Sequence, residues 1–132
     1  MANLKGGSFE KQIKDAFHRL ESFGVGRVRK SDNLTHSDKL AQKREMYLRD
    51  ITSFFKSQNL NSKLNTLFTN ENLNNFFNER LKNLSSKTQE NYLRGFSSML
   101  QGLEQQNIYI PLHLEDKSFF DDRVKIVKSE AN

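Results

Sequence analysis

Four stretches of this chain place their large apolar residues three and four positions apart, and a single proline, Pro111, interrupts the 132 residues. This pairing constrains the fold more than any bulk property. A period near 3.6 calls for helices buried on one side, and proline-free sequence lets them run long. The first stretch, SFEKQIKDAFHRLESFG, sets Phe9, Ile13, Phe17 and Leu20 on one face, with Ser8 able to cap its start and Gly24 placed to stop it. The second begins at Thr35 and Asp38, spaced like a capping box, and continues to about Gln58. Its stripe is Leu40, Tyr47, Ile51, Phe54 and Phe55, widened by Met46 and Leu48, while Lys39, Lys43, Arg44 and Arg49 fall mainly on the other side. Glu45 and Arg49 form an i,i+4 pair of the favourable orientation.

After a connection anchored by Leu60, Leu64, Leu67 and Phe68, a third helix is predicted with Thr69 as its cap and Leu73, Phe76, Phe77 and Leu81 as its apolar face. Ser86 and Gln89 have the spacing of a second capping box and open a fourth helix. Its stripe is Tyr92, Leu93, Phe96, Met99, Leu100 and Leu103, which leaves Lys87, Gln89, Glu90, Asn91 and Arg94 facing outward. Gly95 and Gly102 each cost about 1 kcal/mol inside a helix relative to alanine, a cost that close packing on a neighbouring helix would justify. Pro111 forbids continuation of the helix past QQNIYI. Beyond it, RVKIVK alternates apolar and basic residues like a short strand with nothing left to pair with, so 112–132 reads as a linker tail.

Composition narrows the function classes. The absence of cysteine excludes disulfides, thiol catalysis and Cys-based zinc sites. No apolar run approaches the ~18 residues of a membrane span, and MANLKGGSFEK lacks the apolar core of a secretory signal, so a soluble, cytoplasmic protein is expected. The three histidines, His18, His36 and His113, show no metal-ligand spacing, and no phosphate-binding glycine loop of the Walker type appears. The expectation is a chain with no catalysis of its own, no cofactor and no metal. A formal charge of +5 suits a polyanionic partner. The asparagine excess of NLNSKLNTLFTNENLNNFFN reads as the compositional bias of AT-rich coding sequence rather than a site. Arg27, Arg29 and Lys30 in GVGRVRKSDN are either a solvated loop or a basic strap along a phosphate backbone.

From Thr35 to Ile108 the chain resembles the core-binding domain of tyrosine recombinases, the phage-integrase and Xer-like family. The resemblance rests on three pieces: the helix KLAQKREMYLRDITSFFKSQ; the run LFTNENLNNFFNERLKNLSSKTQENYLRGFSSMLQGLEQQNI, with its Ser/Thr-rich turn, T-x-x-x-Y-L and F-x-x-M-L; and the order of helices. It implies an all-α fold, a compact bundle of four to five helices (a SAM-like core-binding domain) with a C-terminal linker tail. It divides the chain into an N-terminal helix and basic linker (1–34), the DNA-binding domain (35–111) and a linker toward a catalytic domain (112–132). The partners it implies are double-stranded DNA at a recombination site, the recombinase catalytic domain and other protomers. Carried over by position, Lys87, Thr88, Gln89, Asn91 and Arg94 would face DNA, with Lys39, Lys43 and Arg44 as companion contacts and Arg27, Arg29 and Lys30 along the backbone. The family's H-x-x-R motif is missing here, and Tyr47 and Tyr92 read as core residues, so this stretch resembles the DNA-binding front end alone. The first helix lies outside the family pattern and is expected to pack on the bundle as a fifth helix rather than exchange between protomers. Two alternatives stand beside this reading: a helical protein-interaction module that uses the Phe-rich stripes, and a small helix-turn-helix regulator.

Overall fold

The structure, a computed structural model, describes residues 2–4, 6–20, 38–112 and 118–131. Among the described residues, five α-helices form an all-α bundle: α1 (Phe9–Leu20), α2 (Asp38–Ser57), α3 (Asn70–Phe76), α4 (Ser86–Gln105) and α5 (Ser118–Ala131). A 3₁₀ turn, Leu64–Leu67, precedes α3, and a π turn, Phe77–Leu81, continues it. Helix α1 begins where the sequence places it, with Ser8 Oγ accepting from the Lys11 amide at 3.3 Å. It buries Phe9, Ile13, Ala16 and Leu20 and packs on α2 and α4 of the same chain, as a fifth helix of the bundle. Arg49 fastens the joint from outside. Its two terminal nitrogens donate to the Glu10 carboxylate at 2.6 and 3.0 Å, while it keeps the i,i+4 contact to Glu45 at 3.3 Å.

Helix α2 buries Tyr47, Leu48, Ile51, Phe54 and Phe55, as its stripe requires, but Met46 points outward and does not widen it. The Thr35 cap and the Gly24 stop lie outside the described residues. Both long helices end on asparagine. Asn59 and Asn107 adopt positive φ (58° and 67°), and the amides of Leu60 and Ile108 return to the carbonyls of Phe55 and Leu103 at 3.0 Å. These are Schellman stops, in which asparagine takes the left-handed position that glycine fills most often. Thr69 caps α3 by accepting from the Asn72 amide. The wider π turn then lets the adjacent Phe76 and Phe77, with Leu81, all reach the core.

Two expectations are corrected here. Helix α4 is capped by Ser85, not Ser86: Ser85 is extended (φ −60°, ψ 153°) and its Oγ accepts from the Thr88 amide, whereas Ser86 is already helical. The segment RVKIVK is not a strand in a linker tail but part of α5. Phe120, Val124 and Val127 recur at helical spacing and are buried, and α5 lies along α4. Once α4 offers a groove, the 3.6 period of these three residues outweighs the local alternation.

Residues 2–4, ahead of α1, also join the bundle. Ala2 makes an isolated parallel bridge with Ile108: its amide donates to Asn107 O at 2.9 Å and its carbonyl accepts from Tyr109 N at 2.8 Å. Leu4 is buried, and its amide donates to the side-chain oxygen of Asn65. Asn65, itself fully buried, donates onward to Tyr109 O at 2.7 Å and Asn3 Oδ1 at 3.0 Å.

Gly95 has the packing role its helical position called for. A Cβ added there would lie 2.7 Å from Tyr47 Cδ2, and closer still to Cε2. Tyr47 is itself buried against Tyr92 and Phe96. Gly95→Ala gains about 1 kcal/mol of helix propensity but overpacks this contact at a typical cost of 1–3 kcal/mol. With so little room the overpacking wins, and denaturant titration is expected to show a net destabilisation of about 1 kcal/mol. Adding Tyr47→Leu should reverse the sign of the glycine substitution.

Candidate nucleic-acid interface

Three contacts fix how α2 and α4 lie together. Arg44 donates to Ser98 Oγ at 2.9 Å, the Tyr47 ring covers Gly95, and the Tyr92 hydroxyl donates to Asp50. Each step up α2 matches an equal step down α4, so the helices are antiparallel. Lys39 and Lys43 therefore lie beside the C-terminal half of α4, and Lys87 stands at its start. Lys43 shares its row on α2 with Tyr47 and Asp50, the residues that touch α4, and it is exposed. Its level on α4 is about twelve residues from Lys87, or roughly 18 Å at 1.5 Å per residue.

The candidate residues divide on inspection. Lys87, Asn91 and Arg94 are exposed at i, i+4 and i+7, one straight row on α4. The first turn of that helix carries no acidic residue, so the positive end of the helix dipole is not offset there and adds to the potential beside Lys87. Thr88 and Gln89 are half-buried and turn inward to the helix start. Thr88 Oγ1 shares a hydrogen bond with Ser85 Oγ at 2.9 Å, and Gln89 Nε2 donates to the carbonyls of Leu84 and Lys82 at 2.8 and 3.4 Å. Lys39 and Lys43 are exposed, as expected. Arg44 is not: it is 3% exposed and bridges α2 to α4 through Ser98. Its guanidinium reaches across the helix pair, so it holds α2 and α4 together instead of facing solvent. Arg27, Arg29 and Lys30 lie outside the described residues.

Glu90 organises the charges around this row. It accepts from Arg94 Nε at 3.0 Å and Nη2 at 2.9 Å, and Lys128 Nζ of α5 approaches the same oxygen at 3.8 Å. The Arg94 hydrogen bond, with the nearby charges of Lys128 and Lys87, holds the Glu90 carboxyl below its ordinary range. Burial, followed by the bond to Asp50, pushes the Tyr92 hydroxyl well above the ordinary tyrosine value. That phenol is therefore a fixed donor, not a titrating group at neutral pH.

Sequence reasoning missed the contribution of α5. Helix α5 forms one wall of a cleft of about 200 Å³, opposite Arg94, Ser97, Ser98 and Gln101, with Asp121 at its edge. Lys128 was overlooked because its segment read as a tail; the spacing of Phe120, Val124 and Val127 was the available signal. Among the described residues no group of three metal-ligating side chains occurs, and no helix is long and apolar enough to cross a membrane. No protein-family model matches the chain, and neither a curated protein nor a solved structure matches it.

Proposed function

We propose that this chain binds double-stranded DNA, in the manner of the core-binding domain of a site-specific tyrosine recombinase, and leaves strand chemistry to a separate catalytic domain. The observation that carries the reading is the exposed row Lys87, Asn91 and Arg94 on the acid-free start of α4, continued along the α2 edge by Lys43. Roughly 18 Å separates the two lysine levels, about five base-pair steps of duplex at 3.4 Å. Lysines at the two ends suit phosphates, and an asparagine and an arginine between them have the donor and acceptor geometry that reads base edges. The excess positive charge supplies steering toward the duplex.

Fluorescence anisotropy with a labelled duplex across a salt series tests this. Lys87→Ala should weaken binding and flatten the slope of log affinity against log salt by about 1. Asn91→Ala should lower affinity or relax sequence preference with the slope unchanged. Wild-type affinity and slope in both variants, or no binding by the wild type at low salt, would overturn the reading.

A further inference from the structure

The cations around Glu90 come from two helices, and this carries the duplex-binding reading to a specific seat. We propose that α4 and α5 together form a composite phosphate site, in which Lys128 of α5 and Lys87 of α4 each take a backbone phosphate and Glu90 positions the cations between them. The proposal rests on the duplex-binding reading above and adds a helix to it.

Glu90 lies one turn from both Lys87 and Arg94 on α4, and Lys128 reaches its Oε1 from the neighbouring helix at 3.8 Å. Arg94 and Lys128 thus meet one carboxylate, and Lys87 adds its charge one turn away. The carboxylate side chain is 14% exposed, whereas Arg94 and Lys128 are 59% and 58% exposed. The acid is therefore tucked into the seam while the cations open to solvent, an order that presents positive charge to a polyanion. The row continues on α5. Asp121, Lys125 and Lys128 stand at i, i+4 and i+7, and all three are exposed. Its lysines lie toward the start of α4, because Lys128 meets Glu90, and Asp121 lies toward the later turns, beside Ser97, Ser98 and Gln101. The two antiparallel helices therefore gather positive charge at one end of their seam and set an acid at the other. This polarity directs a phosphate to the Lys87–Lys128 end and away from the cleft.

Of the other charges of α5, Arg123 does not compete for that end. Arg123 turns to the far side, where it stacks on Phe77 at 5.6 Å and donates to Asn78 Oδ1 at 3.0 Å. Glu130 borders a hollow at the Lys87–Lys128 end, together with Leu84, Ser86 and Gln89, and the same lining brings a further cation, Lys82, opposite this acid.

The test is duplex binding by the whole chain at 50 to 200 mM salt, comparing wild type, Lys128→Ala, Lys128→Arg, Lys87→Ala and the double alanine variant. Each phosphate contact accounts for about a 3.5-fold loss of affinity over that salt range. Lys128→Ala and Lys87→Ala should each remove one such factor, the double variant both, and Lys128→Arg neither. Circular dichroism should show each variant folded. If Lys87→Ala flattens the slope and Lys128→Ala does not, the composite seat is wrong and duplex binding through α4 stands. If Lys128→Ala alone has an effect, the seat belongs to α5 and the composite again fails. If wild-type chain binds no duplex at 50 mM salt, the seat and the duplex-binding reading fall together.

Discussion

Phe96→Ala should cost about 4 kcal/mol of folding stability, within the usual range for an aromatic side chain removed from a packed core. Phe96 is completely buried on α4, and its ring centroid lies 5.9 to 6.3 Å from those of Tyr47, Phe76, Phe77 and Tyr92. Those four rings come from α2, α3, the π turn and α4, so one side chain joins most of the bundle's elements. Truncation leaves a cavity lined by large planar groups, each held by further ring contacts, and such a wall collapses poorly. Phe96→Leu restores much of the volume and should cost less than half as much. Denaturant titration distinguishes the two: the midpoint should fall in both variants, with the alanine far lower and the slope of the transition preserved. A loss below about 1 kcal/mol in Phe96→Ala would show that the ring hub does not carry the core.

Asn65→Leu is the second large effect, expected at about 3 kcal/mol although the replacement is apolar and of similar size. Asn65 is fully buried, accepts from the Leu4 amide at 3.1 Å and donates to Tyr109 O at 2.7 Å. Leucine leaves a buried donor and a buried acceptor without partners, at about 1–3 kcal/mol for each orphaned group. The readout has a local signature. Hydrogen exchange at Leu4, and at Tyr109, whose amide donates to Ala2 O, should accelerate far more than exchange within α2. Exchange that rises evenly through the molecule would place the damage in the core at large instead of in the strap over residues 2–4.

The helices were legible because their apolar residues are large and strictly spaced: the stripes of α1 and α4 and the face of α3 with its π turn follow from sequence alone. Residues whose roles depend on a partner far along the chain were not. Arg44 has the spacing of a surface cation, and only the Ser98 hydroxyl on α4 makes it a buried bridge. Local spacing also misplaced the α4 cap by one residue, since Ser85 and Ser86 are chemically alike and backbone conformation alone distinguishes them. In α5, Val124 and Ile126 alternate with basic residues as in a strand, and the groove on α4 decides for helix. The asparagines show the reach of compositional reasoning: the bias accounts for their number, yet Asn59, Asn107 and Asn65 occupy positions that need what asparagine offers. Two stop helices in the left-handed region and one satisfies backbone groups in the core. Of the candidate site, the row Lys87, Asn91 and Arg94 was legible from period alone; the lysine of α5 beside it was not, because it belongs to another element.

The bridge between Ala2 and Ile108 also bears on the order in which the molecule assembles. Helical bundles usually fold fast because their contacts are local, but this pairing joins positions more than a hundred residues apart, and closing so long a loop carries a large entropy cost. During synthesis the strap has no mate until Tyr109 has left the ribosome, by which time the segments for α1, α2 and α4 have all been made. The strap then closes as a late step, a seal on a bundle already formed and not part of its nucleus. Its substitutions should therefore act on the rate of unfolding and leave the rate of folding nearly unchanged.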